Sequence, residues 1–524
     1  MAGAVRCRGV SEASGGVVGG RFSVCRWRLP IPSGAWLGYP SASPIEAANG
    51  SRRVERIVPA HPGARTFQSH DAHASLQRLH AFLPMSTGLI RNSLWSLSFR
   101  LLSALSGLLL TALLARLLTQ AETGQYFILL SLSSIGSVVI CCGMNFAVVR
   151  LIAEAQALKE PGAAKGTMLA ALGTVGAAGL VFALALFSPV GQGLLQRYAG
   201  IAPGPLLTFL LVVWTVALAG QALFAELFRG LQQILLASLF GGACASLLAL
   251  SALSLARLST PLDLPLAVAL VASATLAGVA LAAAVLWRSA RRLPGAPRRD
   301  WRRLAAIAWP LWITNLMLVV LVQADLWILN SQGDSAQVAL YGAAVRITQL
   351  LTLPLLVLNA ALIPMISERH ALGDFPALQR LLRASAALAA LPALLAVAFF
   401  GVAGGWLLQL FFGPGYGEAL PLLLILAAGQ LANVLCGSAG YTLMMTGRQQ
   451  DMMWITLLAG LLMIGLGLYW VREHGAMGVA WASALGLTAQ SLAMWWRVRQ
   501  RLGLWTHASA GFLARPLQAL RALL

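Results

Sequence analysis

Charged residues are scarce in this sequence. Asp, Glu, Lys and Arg make up only 10% of its 524 residues, whereas 58% are hydrophobic. A water-soluble globule cannot bury so many apolar side chains. The mean hydropathy of +0.77, together with repeated apolar runs of about twenty residues, is typical of helices that cross a bilayer. The composition therefore predicts an all-α integral membrane protein.

Cysteines are too few and too scattered for a disulfide framework. There are six in the chain, and four of them (Cys141, Cys142, Cys244 and Cys436) lie inside apolar runs, as small core residues do. The net charge of +20 would suggest a nucleic-acid partner in a soluble chain. Here the basic residues lie mostly between apolar runs, where the positive-inside rule expects them. We therefore expect no nucleic-acid partner.

Motifs for catalysis are absent. The sequence has no phosphate-binding loop (G-x-x-x-x-G-K followed by Ser or Thr), no H-E-x-x-H and no paired-carboxylate D-x-D. Four of the seven His lie in the first 84 residues, and His370, His474 and His507 lie singly in predicted loops or in the C-terminal tail. We expect no enzymatic activity, no metal site and no cofactor.

Residues 1–84 differ from the rest of the chain. They hold ten Arg and four acidic residues, are rich in Gly, Ser and Pro, and contain no apolar run long enough to span a membrane. This composition is typical of disorder, and Met1–Val24 lacks the apolar stretch of a secretory signal. An Arg-rich organelle presequence is one alternative. The other is an untranslated extension before a true start at Met85, since 35 Arg against 2 Lys indicates a GC-rich genome with open upstream frames.

Twelve spans are predicted, and the long basic loop 288–303 divides them six and six. The expected organisation is a first six-helix lobe at 85–290, a basic cytoplasmic joint at 291–303, a second lobe at 304–500 and a cytoplasmic tail at 501–524. Tyr126 and Asn145 in the first half are echoed by Tyr341 and Asn359 in the second, which indicates two lobes related as parallel repeats, a transporter architecture. The spans lie approximately at 94–118, 126–149, 166–188, 205–225, 232–255, 264–287, 304–330, 338–366, 384–410, 419–443, 452–471 and 475–496.

Basic residues distinguish the two sides of the membrane. The even-numbered connections and the two ends of the bundle hold 21 Arg and Lys, whereas the odd-numbered connections hold only Arg197, Arg257 and Arg472. The positive-inside rule then predicts a multi-pass protein with both termini in the cytoplasm. The seven Arg of loop 288–303 are expected to fix this topology and to contact anionic lipids.

Arg100 in the first span is one of few charges at membrane depth. It shares a helical face with Ser103, Gly107 and Thr111, at spacings of three and four residues. Because a charge inside a membrane is costly, this polar face predicts a substrate-binding surface that lines water. The alternative is that the Arg100 side chain reaches back to the cytoplasmic interface.

Asp325 and Arg346 lie at matching depths on either side of one short turn. One hypothesis is that Asp325 binds a coupling proton or cation while Arg346 holds an anionic group of the substrate. The other is a structural ion pair between neighbouring helices. Asn315 and Gln323 make this span the most polar of the second half, and we count both as candidate substrate-binding residues.

Several segments resemble a known family. Asn92 and Trp95 followed by ARLLTQAETGQYFILLSLSSIG and GMNFAVVRLIAEA resemble the opening of bacterial polysaccharide-lipid flippases of the O-antigen type, within the multidrug/oligosaccharidyl-lipid/polysaccharide superfamily. The likeness covers about residues 85–500. In the second half of the chain, the segments that resemble the family are ADLWILNSQGDSAQVALYGAAVRI, LIPMISERHALGD, FFGPGYGEALPLLLILAAGQLANVLCGSAGYTLMMTGRQQD and HGAMGVAWASALG.

The resemblance implies two lobes that face each other across a cavity opening alternately to either side of the bacterial inner membrane. The implied cargo is an oligosaccharide on undecaprenyl pyrophosphate, moved for surface polysaccharide biosynthesis alongside the polysaccharide polymerase machinery. The implied driving force is an ion gradient of protons or sodium, and Asp325 is the acid that matches the ion-coupling role. A cavity with Arg100 and Arg346 suits a pyrophosphate better than a cationic drug.

Two other functions stay open at this stage. A multidrug and toxin extrusion type antiporter would have a similar fold with twelve spans, but such proteins typically place acids in the cavity, whereas the first span here carries Arg100. The lipid II flippase branch usually has fourteen spans. A membrane glycan polymerase or ligase is the third hypothesis, and the short outer loops without an acid–base cluster speak against it.

Overall fold

Helices form the whole architecture of the part of the chain that is described. The computed structural model describes residues 98–99, 101–199, 204–258, 261–291, 294–297 and 300–513, and no strand occurs among them. The extension 1–84 and Arg100, about both of which the sequence makes predictions, lie outside the described residues.

The first half of the chain contributes six membrane crossings. They are joined by short turns and by two helices that do not cross, α3 and α5. The elements are α1 (Leu101–Leu117), α2 (Gln120–Cys141), α3 (Met144–Ala157), α4 (Pro161–Phe187), α5 (Pro189–Leu194), α6 (Pro205–Gly230), α7 (Ile234–Ala256) and α8 (Leu264–Arg291).

The second half contributes six more crossings. A single turn of 3₁₀ helix at Leu350–Thr352 separates α10 from α11, and α15 contains two crossings. The elements are α9 (Trp301–Asn330), α10 (Ser335–Gln349), α11 (Leu353–Ala371), α12 (Phe375–Phe412), α13 (Leu420–Cys436), α14 (Ala439–Met445), α15 (Gln449–Leu502) and α16 (Ala510–Leu513).

The second span differs from its prediction at 126–149. A capping box begins α2 earlier, because the Thr119 side chain accepts a hydrogen bond from the Glu122 amide and the Glu122 carboxylate accepts one from the Thr119 amide. The helix ends at Cys141, since Cys142 and Gly143 adopt left-handed backbone conformations with φ of 46° and 73°. Residues 144–157 therefore form a separate helix, α3.

Gly475 divides α15 into two antiparallel limbs. Its φ of 54° and ψ of −131° are not helical, and they reverse the chain where the sequence predicts a turn between the last two spans. The limbs then pack closely. A Cβ at Gly478 would lie 2.6 Å from the Trp470 carbonyl oxygen, and one at Gly486 would lie 2.7 Å from the Cβ of Met463.

The two lobes pack against each other differently at the two ends of the bundle. We call the end with loop 288–303 the basic end, and the other the Arg-poor end. At the Arg-poor end a single core joins Leu114 and Phe127 of the first lobe to Ala344 and Phe412 of the second. At the basic end one core holds Val148 and Leu227 of the first lobe together with Leu304 and Ala308 of α9, and a separate core holds Leu382, Leu443 and Val498 of the second lobe. At the basic end α9 therefore packs against the first lobe, while the other described second-lobe residues there have a core of their own.

Small residues allow the lobes to meet at the Arg-poor end. A Cβ at Gly124 of α2 would lie 1.8 Å from the Ser335 carbonyl oxygen at the start of α10, and one at Gly342 would lie 2.5 Å from the Phe127 ring. Arg116, at the end of α1, donates hydrogen bonds to the carbonyl oxygens of Leu410 and Phe411 near the end of α12. The positive charge of Arg116 lies at the negative end of the α12 dipole, which stabilises this contact.

The residues after α15 pack against the second lobe. Leu504 and Thr506 are buried, and the Thr506 hydroxyl donates a 2.8 Å hydrogen bond to the Cys436 carbonyl oxygen. The Trp505 amide donates to the Gln379 side chain, and the Ala508 amide donates to the Leu435 carbonyl oxygen. The first residues of the predicted tail 501–524 thus form a strap across the basic end of the second lobe.

Candidate functional site

A polar cavity of 310 Å³ lies inside the first lobe and is completed by one residue of the second. Among the described residues, side chains with hydroxyl or amide groups line it together with two aromatic rings and one Arg, and no described Asp or Glu does so. These lining residues are Ser103, Thr111, Gln221, Ser246, Thr275, Tyr126, Trp214 and Arg346.

An irregular turn in α7 makes room for the cavity. Residues Leu239–Ala243 form a π-helical segment, within which Gly242 has a φ of 152°. A Cβ at Gly242 would lie 2.7 Å from the Ser103 hydroxyl oxygen. Gly242 therefore has both the conformational freedom and the close approach that only glycine allows. Bulges of this kind interrupt helix packing and occur frequently at functional sites.

The polar stripe of α1 faces the cavity where the structure describes it. Ser103, Gly107 and Thr111 all contribute to the lining. Ser106, on the neighbouring face, lies 2.5 Å from the Ser246 hydroxyl of α7 and so ties the two helices together. The predicted site residue Ser103 is thus in the cavity wall. Arg100, three residues earlier in the sequence, lies outside the described residues.

Gln221 presents an unpartnered polar atom at the cavity. Its side-chain carbonyl oxygen is buried and has no hydrogen-bond partner among the described residues. A buried polar atom without a partner is costly, so a bound water or a ligand group with a donor is expected to satisfy it. This orphaned acceptor indicates that the cavity binds something polar.

Arg346 reaches across from the second lobe. It is half-buried on α10, and its guanidinium carbon lies 6.0 Å from the centroid of the Phe127 ring on α2. The ion pairs among the described residues do not include Arg346. The cavity therefore contains one positive charge that no described carboxylate neutralises, which makes it electrostatically suited to an anionic group.

Asp325 lies in a separate polar cluster within the second lobe. The Tyr341 hydroxyl donates a 2.8 Å hydrogen bond to one carboxylate oxygen of Asp325, and the Leu326 amide donates one of 2.8 Å to the other. The Tyr341 hydroxyl also lies 3.0 Å from the Ser483 hydroxyl on the second limb of α15. The cluster joins α9, α10 and α15 through one titratable carboxyl group.

The structure does not form the ion pair between Asp325 and Arg346 that the sequence left open. Tyr341, which binds Asp325, and Arg346 are five residues apart on α10, so they point in directions about 140° apart. One side of α10 faces the second-lobe cluster and another faces the cavity in the first lobe. The matching depths are real, but the two side chains lie on different faces of the helix.

Asn315 and Gln323 lie on α9 and do not line the 310 Å³ cavity. Both are half-buried. The same helix contacts α2 through two indole groups: the Trp312 indole N–H donates to the Val138 carbonyl oxygen at 3.0 Å, and the Trp327 indole N–H donates to the Ser131 hydroxyl at 2.9 Å. The two candidates thus belong to the helix that runs along the junction of the lobes.

Sequence reasoning missed the aromatic wall and the Gln221 acceptor. The Tyr126 and Trp214 rings are stacked with centroids 5.5 Å apart, and both side chains are almost fully buried. In an apolar span, aromatic residues are indistinguishable from ordinary core residues by sequence. Gln221, in contrast, is a polar residue inside an apolar run and could have been found by the reasoning that identified Arg100.

The described residues contain no group of three or more His, Cys, Asp or Glu side chains placed to hold a metal ion.

The sequence matches two family profiles. One, described as "Polysaccharide biosynthesis protein", matches residues 89–370, which is more than half of the chain. The other, described as "MatE", matches residues 310–469. No curated protein matches the chain.

Solved structures of transporters have the same fold. An inward-facing multidrug resistance MATE family transporter of the MOP superfamily is 14% identical, with a TM-score of 0.64 over 78% of this chain and 98% of that one. A MOP superfamily transporter from Pyrococcus furiosus Vc1 (DSM3638), described as having a binding pocket of reversed polarity, is 14% identical, with a TM-score of 0.57 over 79% of this chain and 95% of that one. The lipid II flippase MurJ in an inward closed conformation is 11% identical, with a TM-score of 0.57 over 83% and 91%. The predicted all-α membrane fold with about twelve crossings is confirmed.

Proposed function

The chain belongs to the polysaccharide biosynthesis protein family and is a transporter of the MOP superfamily, and on that premise we propose that it flips a polyprenyl-pyrophosphate-linked glycan across a bacterial inner membrane. The glycan and its pyrophosphate cross through the space between the lobes, while the undecaprenyl tail stays in the bilayer. The chain acts as a carrier and not as an enzyme, in the biosynthesis of a surface polysaccharide such as an O-antigen.

The charge of the cavity carries this proposal. Arg346 provides a positive charge without a described acidic partner, and the described lining of the cavity contains no acid. An Arg guanidinium matches phosphate oxygens with two parallel hydrogen bonds, whereas a cationic drug would be repelled. The pyrophosphate of the carrier lipid is the group that we assign to Arg346.

The rest of the cavity wall suits a sugar. The Thr111 and Thr275 hydroxyls donate to carbonyl oxygens of their own helices and can accept a further hydrogen bond. Ser103 adds a hydroxyl group, and the orphaned oxygen of Gln221 adds another acceptor. The stacked rings of Tyr126 and Trp214 supply an apolar surface beside them. A few polar groups among aromatic walls are typical of small-molecule sites. Arg100, Asn315 and Gln323 are proposed as further substrate contacts.

The charge of the loops gives the orientation of the bundle in the membrane. Under the positive-inside rule the basic end faces the cytoplasm, and both termini are cytoplasmic. The core shared by several helices of both lobes then closes the bundle on the far side, whereas at the basic end α9 joins the first-lobe core and the rest of the second lobe has its own. We therefore place the loading of the carrier lipid at the basic end. Rocking of the lobes about the joint at 291–303 would close this side and open the other, as in alternating access.

Proton binding at Asp325 is the proposed coupling step. While Asp325 is ionised, it accepts the hydrogen bond of Tyr341. A protonated Asp325 becomes a donor, and the Tyr341 hydroxyl can then donate to Ser483 instead. This exchange changes how α10 is held against the second lobe. Because α10 also carries Arg346, proton binding and cargo binding act on the same helix.

A multidrug and toxin extrusion type cation antiporter is the second candidate. The "MatE" match over residues 310–469 favours it, and so does the half-buried carboxyl group of Asp325 within the second lobe. A cation carrier would use Asp325 itself as the site of the cargo. A membrane glycan polymerase or ligase is a third candidate, for which no described cluster of acids and bases provides a catalytic centre.

A flipping assay in proteoliposomes tests the proposal. The full chain is reconstituted with a fluorescent undecaprenyl-pyrophosphate oligosaccharide, with and without a proton gradient, and the cargo on each leaflet is quantified by a membrane-impermeant quencher. We expect flipping that the gradient stimulates. Arg346→Gln should abolish it by weakening cargo binding, and Asp325→Asn should remove the stimulation alone.

Two controls separate the candidates. Arg257→Gln removes an exposed positive charge at the Arg-poor end and should leave flipping unchanged. Gradient-driven efflux of a cationic dye, without flipping of the lipid-linked glycan, would show that the antiporter alternative is correct. Glycan labelling in a deletion strain tests the third candidate, since loss of a polymerase leaves single units outside and loss of a flippase leaves them inside.

A further inference from the structure

An apolar groove of 260 Å³ runs along the outside of the first lobe at the basic end. It lies between α4, α6 and α8, and it is separate from the cavity that holds Arg346. Its floor is apolar, with Leu169 and Leu172 of α4, Phe224 of α6 and Leu286 of α8. This floor lies at the depth of the hydrocarbon region, because it continues from the ends of α4 and α8 toward their middles.

Two basic side chains stand at one end of the groove. Lys165 lies on the second turn of α4, and Arg291 is the last residue of α8. The guanidinium carbon of Arg291 lies 4.7 Å from the centroid of the Trp287 ring, which is itself exposed. Tryptophan and basic residues at helix ends mark the depth of lipid headgroups. The charges therefore lie at the headgroup level and the apolar floor lies deeper.

Neither basic side chain forms an ion pair with a described residue. Among the described residues, the ion pairs at the basic end use Arg229, Arg303, Arg369, Arg497 and Arg501, but neither Lys165 nor Arg291. The groove thus combines two positive charges at one end with an apolar surface at the other. That is the complement of an amphiphile with an anionic head and a hydrocarbon tail.

We propose that this groove is a binding site for an anionic phospholipid, with the phosphate between Lys165 and Arg291 and one acyl chain along Leu169 and Leu172. Basic pockets between membrane helices on the cytoplasmic side bind anionic headgroups in this way. Trp287 holds Arg291 in position through the ring contact. The site is independent of the cargo, so it stands whether the chain carries a glycan or a cation.

Native mass spectrometry of the purified full chain tests the site. Phosphatidylglycerol and phosphatidylcholine with identical acyl chains are titrated, and the dissociation constant of the first bound lipid is measured for each. Two basic groups should favour phosphatidylglycerol by about 10- to 30-fold. The double variant Lys165→Gln/Arg291→Gln should bring the two lipids to within about twofold of each other, while phosphatidylcholine binding is unchanged.

A matched control removes the same charge elsewhere at the basic end. Lys159 and Arg380 are exposed and do not line the groove, so Lys159→Gln/Arg380→Gln should keep the preference. Leu169→Trp narrows the groove without changing its charge and should weaken the binding of both lipids. Inorganic phosphate should not compete, since it lacks the tail.

Three results would overturn the proposal. The preference for phosphatidylglycerol could survive Lys165→Gln/Arg291→Gln, or it could fall equally in the control pair, which would assign it to the general charge of the basic end. Unchanged lipid binding in Leu169→Trp would exclude an acyl chain in the groove. Because Leu169→Trp leaves both charges in place, it tests the site even if the double variant does not fold.

Discussion

Arg346→Gln is the change that tests the cavity most directly. The substitution removes the positive charge of the half-buried guanidinium and keeps a polar side chain of similar reach. The ion pairs among the described residues do not involve Arg346, so the folded protein loses only its ring contact with Phe127. We therefore expect a thermal midpoint close to that of the wild type, since breaking a buried pair is the costly event and none is broken.

The expected loss of affinity follows from the hydrogen bonds that Arg346 would make to phosphate oxygens. A hydrogen bond that involves a charged group contributes about 1.5–3 kcal/mol, which corresponds to about 10- to 150-fold in a dissociation constant. Arg346→Lys keeps the charge but loses the planar guanidinium that can form two parallel hydrogen bonds, so its loss of affinity should be intermediate. Both wild-type and Arg346→Lys affinities should fall with rising salt, whereas the residual affinity of Arg346→Gln should depend on salt more weakly.

Equilibrium competition binding measures these effects. The purified full chain in detergent binds a fluorescent short-chain polyprenyl-pyrophosphate sugar, and an analogue without the pyrophosphate serves as the neutral ligand. Arg346→Gln should weaken the binding of the pyrophosphate ligand and leave the binding of the neutral ligand unchanged. An affinity for the pyrophosphate ligand within about twofold of the wild type would refute the assignment of Arg346. So would an equal loss for both ligands, because that would indicate a collapsed cavity.

Three further predictions address coupling, lobe packing and the C-terminal strap. Asp325→Asn retains an acceptor for the Tyr341 hydroxyl, so the protein should fold, and a flipping rate that no longer responds to pH would be the measured sign of lost coupling. Gly124→Ala would place a Cβ 1.8 Å from the Ser335 carbonyl oxygen and should cost about 1–3 kcal/mol in unfolding free energy. It should also increase the labelling of a cysteine introduced at the Arg-poor end, whereas Gly173→Ala, with nothing within 4 Å of its Cβ, should do neither. Burial, and then the charge of Arg383, lower the pKa of His507 from 6.5. Its contribution to stability is therefore complete above pH 6.5 and is lost as the pH falls below that value. A thermal midpoint that drops between about pH 7.5 and about pH 5.5 in the wild type should drop less in His507→Gln, and equal drops would contradict this role.

The sequence predicted the membrane crossings well because hydropathy integrates over a whole span. It misplaced the second span for a local reason. The apolar window continues past Cys141, whereas the left-handed conformations of Cys142 and Gly143 end the helix there. An average of hydropathy along the sequence carries no information about backbone conformation. The Thr119-x-x-Glu122 pattern, in contrast, was a readable start signal for α2.

The candidate site was only partly predictable, because the depth of a residue in the membrane does not determine the direction in which its side chain points. Counting residues from a turn gives the depth of Asp325 and Arg346 correctly. The direction of each side chain depends on how α10 is rotated between the lobes, and this rotation is set by the packing of Gly342 against Phe127. Tyr126 and Trp214 were missed for the same reason, since only the irregular turn at Gly242 determines that their surroundings are a cavity and not a filled core.

The position of α10 links the two polar sites of the molecule. Tyr341 on one face binds Asp325 in the second lobe, and Arg346 on another face points into the cavity of the first. Coupled transport requires a structural element that has two positions and whose equilibrium both the ion and the cargo change. Each ligand shifts that equilibrium only by the difference between its affinities for the two positions. An ion pair between Asp325 and Arg346 would have cancelled the charges that recognise ion and cargo. Their separation on two faces of one helix keeps both charges available while making a single rigid body respond to either.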